Sequence, residues 1–395
     1  MRSKFTHKFG RGRIISRRPN TGFKPRNNKF FDPTKMVNNP VGVAAIAEEF
    51  IPVNTFAGFP ISDKLKSNII HKGYTIPTPI QDQVIPALLS GRDVVGIANT
   101  GTGKTAAFLI PLIQKITVDP EAKVLIIAPT RELASQIQEE LMAFTYQMDI
   151  RSALCIGGVS MDRQIERLKR NPQFIIGTPG RIKDLGERGK IKFFQLTAIV
   201  LDEVDQMLDM GFIRDIRHII GKLPNVRHSL FFSATLPDAV KGIMQAFLRD
   251  PVMISVKTAD TLDAIHQDVI KVAGRSKFDI LENMLREKEF SKVLIFGATK
   301  WKINKLERAL QDNGWKVMAI HGNKTQGQRQ KALQMFKNNA IQALLATDVA
   351  SRGLDIDDVT HVINFDMPNS YESYIHRIGR TGRANKTGKA ITLVD

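Results

Sequence analysis

One cysteine, Cys155, in 395 residues excludes an intrachain disulfide and any cysteine-rich zinc site. It flanks Gly157-Gly158 in an apolar run, which fits a buried small hydrophobe rather than a reactive thiol. The start of the chain, MRSKFTHKFGRGR, lacks the apolar stretch of a secretory signal. Nor does any run of about 18 apolar residues occur, so no membrane-spanning helix is expected. A cytoplasmic, monomeric protein without membrane contact is the resulting expectation. Acidic charge is also scarce, with 39 Asp and Glu against 57 Lys and Arg and a net charge of +18. Such an imbalance usually meets a polyanion.

The positive charge is unevenly spread. The first 40 residues hold eleven Lys or Arg and one acid, Asp32, giving more than half of the net charge. Rich in Gly, Asn and Pro and without apolar periodicity, residues 1–50 read as a disordered basic arm. Nucleic-acid contact, a solubilising tail and a membrane-surface patch compete for it. The last is disfavoured because no amphipathic helix accompanies the charge.

Beyond residue 50 the pattern changes to short apolar runs separated by helix-length amphipathic stretches. The first series is VVGIA (94–98), KVLIIAPT (123–130), SALCIGG (152–158), QFIIGTPG (173–180), AIVLDE (198–203) and SLFFSAT (229–235). The second is VLIFGAT (293–299), VMAIHG (317–322), ALLATD (343–348), HVINFD (361–366) and AITLVD (390–395). Apolar runs without alternation suit strands buried on both faces, as in a parallel sheet covered by helices. Two doubly wound α/β domains in tandem are therefore expected, over 51–257 and 264–395. The polar segment between them predicts a linker at 258–263. The last strand reaches the final residue, so the closing helix of the second domain is expected to be missing.

ANTGTGKT (98–105) follows a strand and precedes an apolar helix start, the context of a phosphate-binding loop. Gly101 and Gly103 permit the tight turn that points backbone N–H groups at phosphates. Lys104 is expected on the β- and γ-phosphates, and the Thr105 hydroxyl on Mg²⁺. Ala98, Asn99, Thr100 and Thr102 complete the loop; Ala98 stands where the common motif has glycine. Asp202 and Glu203 end a strand, where α/β sheets bind ligands. Asp202 is expected to hold the Mg²⁺ hydration shell, and Glu203 to polarise the attacking water.

ANTGTGKT, APTRELASQ (128–136), TPGR (178–181), DEVD (202–205), SAT (233–235), ATDVASRGLD (346–355) and HRIGRTGR (376–383), in this order, resemble the DEAD-box ATP-dependent RNA helicases. Each motif lies at a strand end, and the resemblance runs from about Phe56 to the last residue. It implies two RecA-like domains that bind ATP with Mg²⁺ and hold single-stranded RNA across both.

Within GYTIPTPIQ (73–81) the resemblance implies that Gln81 reads the adenine edge, while Phe56 upstream stacks on the ring. It implies that Arg380 and Arg383 reach the γ-phosphate from the second domain, and that Asp355 contacts the ribose. His376 would link the nucleotide to the 202–205 loop, and Ser233 and Thr235 would bond Asp205 to couple hydrolysis to closure. RNA contacts are implied at Arg131, Gly157, Gly158, Thr178 and Arg181, and across the cleft at Gln326, Arg329 and Thr347. Backbone contacts of this kind carry little sequence preference. Closure on ATP and RNA would bend the strand and open a short duplex or remodel an RNA–protein complex.

The named motif ends Ala-Asp in most members of that family, whereas Val204 stands here. Its side chain should point into the layer between strand and helix, where overpacking can cost about 1–3 kcal/mol. A DNA translocase, an ATP-gated RNA clamp and a small-molecule kinase are the competing functions. The kinase lacks an acceptor motif and leaves the second domain unexplained.

Overall fold

The computed structural model describes residues 50–395 except Thr100, 257–264, 352–355, Asp357 and 383–386. The basic arm before residue 50, the linker at 258–263, Thr100, Asp355 and Arg383 therefore lie outside the described residues.

The first lobe is built on β1 (Val94–Ile97), β2 (Val124–Ile127), β3 (Ser152–Cys155), β4 (Phe174–Gly177), β5 (Ala198–Leu201), β6 (His228–Ser233) and β7 (Val252–Ser255). They form one sheet in the order β3-β4-β2-β5-β6-β1-β7, with every pairing parallel. The second lobe holds β8 (Ile265–Lys271), β9 (Val293–Phe296), β10 (Val317–Ile320), β11 (Ala343–Ala346), β12 (His361–Asn364) and β13 (Gly388–Val394). Their order is β10-β11-β9-β12-β13-β8, again all parallel.

Parallel strands need crossovers, and the intervening helices cover both sheet faces. Successive strand residues divide between the two layers. Val124 and Ile126 join one apolar cluster and Leu125 and Ile127 the other. Val293 with Ile295 and Leu294 with Phe296 divide in the same way in the second lobe. Such strands show no polar side, which is why their sequences read as unbroken apolar runs.

Two strands, β7 and β8, have no counterpart among the expected runs. Both lie at sheet edges, and Met253 and His266 are exposed. With one side open to solvent, neither segment carries the uniform apolar signature of the central strands. β8 also draws Ile265–Asp268 into a sheet, within the polar stretch from which the linker was expected.

Among the described residues, no helix is long and apolar enough to cross a membrane. Cys155 is fully buried, and burial pushes its thiol up to about 12.

Candidate nucleotide and RNA site

Every strand of a parallel sheet ends on the same rim, and here the loops of the first lobe divide along it. The ends of β1, β5 and β6 carry the phosphate loop, Asp202-Glu203 and Ser233–Thr235. The ends of β2, β4 and β3 carry Arg131, Thr178 and Gly157-Gly158. Because β2 neighbours β5, the two groups of loops meet at that junction.

The phosphate loop is held by its own contacts. Gly103, at φ 90°, occupies the left-handed region and ends on the helix Lys104–Val118. A side chain there would start 2.4 Å from Gln81 Nε2. Lys104 is buried and its Nζ donates to the Ala98 carbonyl at 2.8 Å. The Thr102 hydroxyl donates to the Asn99 carbonyl at 2.8 Å, and Thr105 is half-buried on the first turn.

Gln81 is fully buried, with its amide engaged at both ends. Its Oε1 accepts from the Thr78 N–H at 3.0 Å, and its Nε2 donates to the Gly103 carbonyl at 3.1 Å. The Thr78 hydroxyl donates to the Thr102 carbonyl at 2.8 Å. In this arrangement Gln81 and Thr78 tie the helix Pro79–Leu89 to the phosphate loop. Any contact to a base would use the second amide hydrogen or lone pair of Gln81.

Phe56, expected to stack on a base, is 2% exposed. Its ring meets Phe59 and Tyr74 edge-on, with centroids 6.1 and 5.9 Å away. In this conformation it packs within the core and offers almost no ring surface for stacking. The signal that places it there is the apolar spacing of Phe56, Phe59 and Ile61, which join one cluster.

The acids are the electrostatically loaded part of the site. Asp202 and Glu203 are buried at 2% and 3% exposure. Desolvation raises both carboxyls above their ordinary range, and Lys104 opposes it. Glu203 is held up to about 7, further raised by Asp202 and lowered by Arg380 of the second lobe. Glu203 also has φ 53° and ψ 53°, a left-handed backbone that costs a non-glycine residue about 1–2 kcal/mol. Such strain at a buried acid beside the phosphate loop fits a functional position.

Among the described residues, Asp202 Oδ1 is buried without a hydrogen-bond partner. An orphaned carboxylate oxygen beside a phosphate loop fits the hydration shell of Mg²⁺, which keeps several waters and needs few protein ligands. Among the described residues, no group of three or more His, Cys, Asp or Glu could hold a metal by itself.

Asp205 Oδ2 accepts from the N–H groups of Ala234 (3.1 Å) and Thr235 (2.9 Å) and from the Thr235 hydroxyl (3.0 Å). The Asp205 N–H donates to Ser233 Oγ at 3.4 Å. The loop after β5 is thereby fastened to the loop after β6. Val204 is fully buried among Val95, Leu201, Met207, Phe231 and Val240, on the packed side that the sequence implies.

On the other half of the rim, Gly157 and Gly158 lie against Arg131. Side chains on them would start 2.9 and 2.2 Å from its guanidinium. Arg181 Nη1 donates to the Val159 carbonyl at 3.4 Å, and Thr178 is half-buried beside it. Arg131, the glycine pair, Thr178 and Arg181 thus gather on the loops of three adjacent strands.

In the second lobe two of the expected RNA contacts are engaged within the protein. Gln326 and Arg329 are buried, not presented on an open surface. Gln326 Nε2 donates to Glu132 Oε1 at 3.3 Å, and Arg329 Nη2 to Glu132 Oε2 at 2.7 Å. Their partner belongs to the first lobe, in the same PTREL segment as Arg131. Glu132 carried no signal of its own, because an acid on a first helical turn is ordinary. In this conformation these residues join the lobes; Thr347, half-buried, follows β11 on the same rim.

Arg377 was also missed. It is 2% exposed and pairs with Asp348 through Nε and Nη2. Its Nη1 donates to Asn364 Oδ1 at 3.0 Å and to the Asp366 carbonyl at 2.8 Å. It fastens the helix Tyr371–Ile378, which carries His376, to the segment after β11. Arg380 is 4% exposed, and its Nε donates to the His376 carbonyl at 3.3 Å.

Comparison with known proteins agrees along the chain. The DEAD/DEAH box helicase model matches residues 78–243, and the helicase conserved C-terminal domain matches 276–385. The chain is 46% identical over 341 residues to the ATP-dependent RNA helicase CshA of Listeria monocytogenes, covering 86% of this chain and 66% of that protein. It is 46% identical over 342 residues to the DEAD-box ATP-dependent RNA helicase CshA of Bacillus subtilis, covering 86% and 69%. The chain thus spans about two thirds of the length of these relatives.

Among solved structures, S. cerevisiae Dbp5 bound to RNA and ADP BeF3 matches at a TM-score of 0.75 and 30% identity, covering 86% of this chain and 89% of that one. Mss116p bound to ssRNA and AMP-PNP matches at 0.78 and 29%, covering 86% and 75%. A DEAD box protein from Methanococcus jannaschii is 38% identical but matches at 0.51, covering 86% and 93%.

Proposed function

Because this chain belongs to the DEAD-box ATP-dependent RNA helicases, we propose that it hydrolyses ATP only when its two lobes close on single-stranded RNA, and thereby opens short duplexes or remodels RNA–protein complexes. The observation that carries this reading is the divided rim, with second-lobe cations set against first-lobe acids. Arg380 lowers the proton affinity of Glu203, and Arg329 binds Glu132.

In this reading Lys104 leaves the Ala98 carbonyl for the β- and γ-phosphates, and the N–H groups of 101–105 line the phosphate path. Thr105 and Asp202 would hold Mg²⁺. Bound there, it would supply charge neutralisation at the phosphates. Glu203 orients the attacking water and takes its proton. Arg380, with Arg383, stabilises charge on the transferring phosphoryl group. Gln81 reports the base to the loop it already holds, Asp355 contacts the ribose, and His376 links the nucleotide to the 202–205 loop. Asp205, through Ser233 and Thr235, passes the state of the site to β6.

RNA backbone runs over Arg131, Gly157-Gly158, Thr178 and Arg181, and reaches Thr347 on the second lobe. Gln326 and Arg329 serve it by holding the lobes together beneath. The basic arm tethers RNA non-specifically and salt-sensitively. The setting of Val204 among apolar neighbours supports retained activity for this DEVD variant.

The test is Glu203→Gln, which keeps the shape of the site and removes its base. RNA-stimulated ATPase should fall about 10²–10⁴-fold, and RNA dissociation should slow markedly when ATP is present. Release as rapid with ATP as without it would sink the scheme.

A further inference from the structure

Resting on that reading, we propose that Trp301, with Lys305 and Arg308, forms an additional RNA platform on which the second lobe stacks a base beyond the backbone track. Trp301 is one of two tryptophans in the chain and is 69% exposed. Phe290 and Phe336 lie within the apolar clusters of this lobe, whereas Trp301 belongs to neither cluster. It sits on the first turn of the helix Lys300–Asp312, which begins just past the carboxyl end of β9.

Lys305 and Arg308 follow at one and two turns and are exposed, so all three share a face. Lys305 Nζ lies 5.6 Å from the indole centroid. Among the described residues, neither Lys305 nor Arg308 makes an ion pair. Lys302, by contrast, is committed to Asp366 at 2.7 Å. An exposed indole bordered by uncommitted cations matches what single-stranded nucleic acid needs, a π-face for a base and positive charge for the phosphates.

The platform also adjoins the segment that joins the lobes beneath the proposed track. Lys300 Nζ donates to Asn323 Oδ1 at 2.9 Å, and Asn304 Oδ1 pairs with His321 Nε2 at 2.9 Å. Both bonds tie this helix to the loop after β10, which leads directly into Gln326. RNA that extends past this segment would reach Trp301. Stacking on an indole accepts any base, so the platform lengthens the binding site without adding sequence preference.

The experiment compares Trp301→Ala, Trp301→Phe and Lys305→Glu with wild type on two single-stranded RNAs. One is confined to the track, and the other is several nucleotides longer at each end. Trp301→Ala should weaken the longer RNA about tenfold while leaving the shorter RNA and the ATPase rate at saturating RNA unchanged. Phenylalanine should recover part of the loss, and Lys305→Glu should show the same length dependence. The longer RNA should also quench tryptophan fluorescence in wild type, a signal lost in Trp301→Phe.

Equal affinities for wild type and Trp301→Ala on the longer RNA, without quenching, would overturn the platform and leave the indole for a protein partner. Equal loss on both RNAs would place its effect within the track and overturn it too. If wild type bound neither RNA, the helicase reading itself would fall.

Discussion

The rims of the two lobes are organised differently. In the first lobe the functional side chains are bonded mostly to their own lobe: Lys104 to Ala98, Gln81 to Gly103, and Asp205 to Thr235. In the second, Gln326 and Arg329 are bonded across the cleft, and Arg380 acts on Glu203 from across it. The first lobe thus holds a site built of three buried acids, Asp202, Glu203 and Asp205, and one buried lysine. In the proposed reaction the second supplies the cations, among them Arg380, which lowers the proton affinity of Glu203. On that proposal, neither lobe by itself contains the whole charge pattern of the reaction.

Removing Arg380 is the strongest way to break that contrast. Arg380→Ala should lower kcat of the RNA-stimulated ATPase about 10²–10³-fold. The pH profile should move as well. Arg380 lowers the pKa of Glu203, so its loss raises that pKa, and the acidic limb of the profile shifts to higher pH. An unchanged rate and profile would mean that the first lobe is self-sufficient.

A second test addresses the join between the lobes. Glu132→Gln leaves Arg329 buried opposite a neutral amide, and breaking a buried ion pair costs about 3–5 kcal/mol where the structure cannot relax. Here the lobes can part instead. A labelled pair across the cleft should report a lower closed population, with weaker RNA affinity and intact folding of each lobe. Adding Arg329→Met should restore part of the closure, because no charge is then left stranded. If Glu132→Gln closed like wild type, the contact would be incidental to lobe closure.

The smallest effect sharpens the reading of the first lobe. Val204→Ala removes two methyl groups from a fully buried position. If the surrounding layer fits valine, equilibrium denaturation should show a loss of about 1–2 kcal/mol. A gain would mean that valine is overpacked there.

Much of this molecule follows from local sequence. Central strands such as Val124–Ile127 and Ala343–Ala346 are buried on both faces, so burial alone writes their apolar runs. The turn from β1 into the next helix is equally legible, because Gly103, Lys104 and Thr105 lie within one turn. Three-dimensional packing decided the rest. The edge strands β7 and β8 are half-solvated and owe their place to a neighbouring strand, β1 in one sheet and β13 in the other. Phe56 has an aromatic's spacing, but only packing against Phe59 and Tyr74 settles that its ring is enclosed. Glu132 and Arg329 stand 197 residues apart, and no pattern in either segment names the other. An ion pair between lobes exists only once two separately folded sheets face one another, because its energy depends on distance through space.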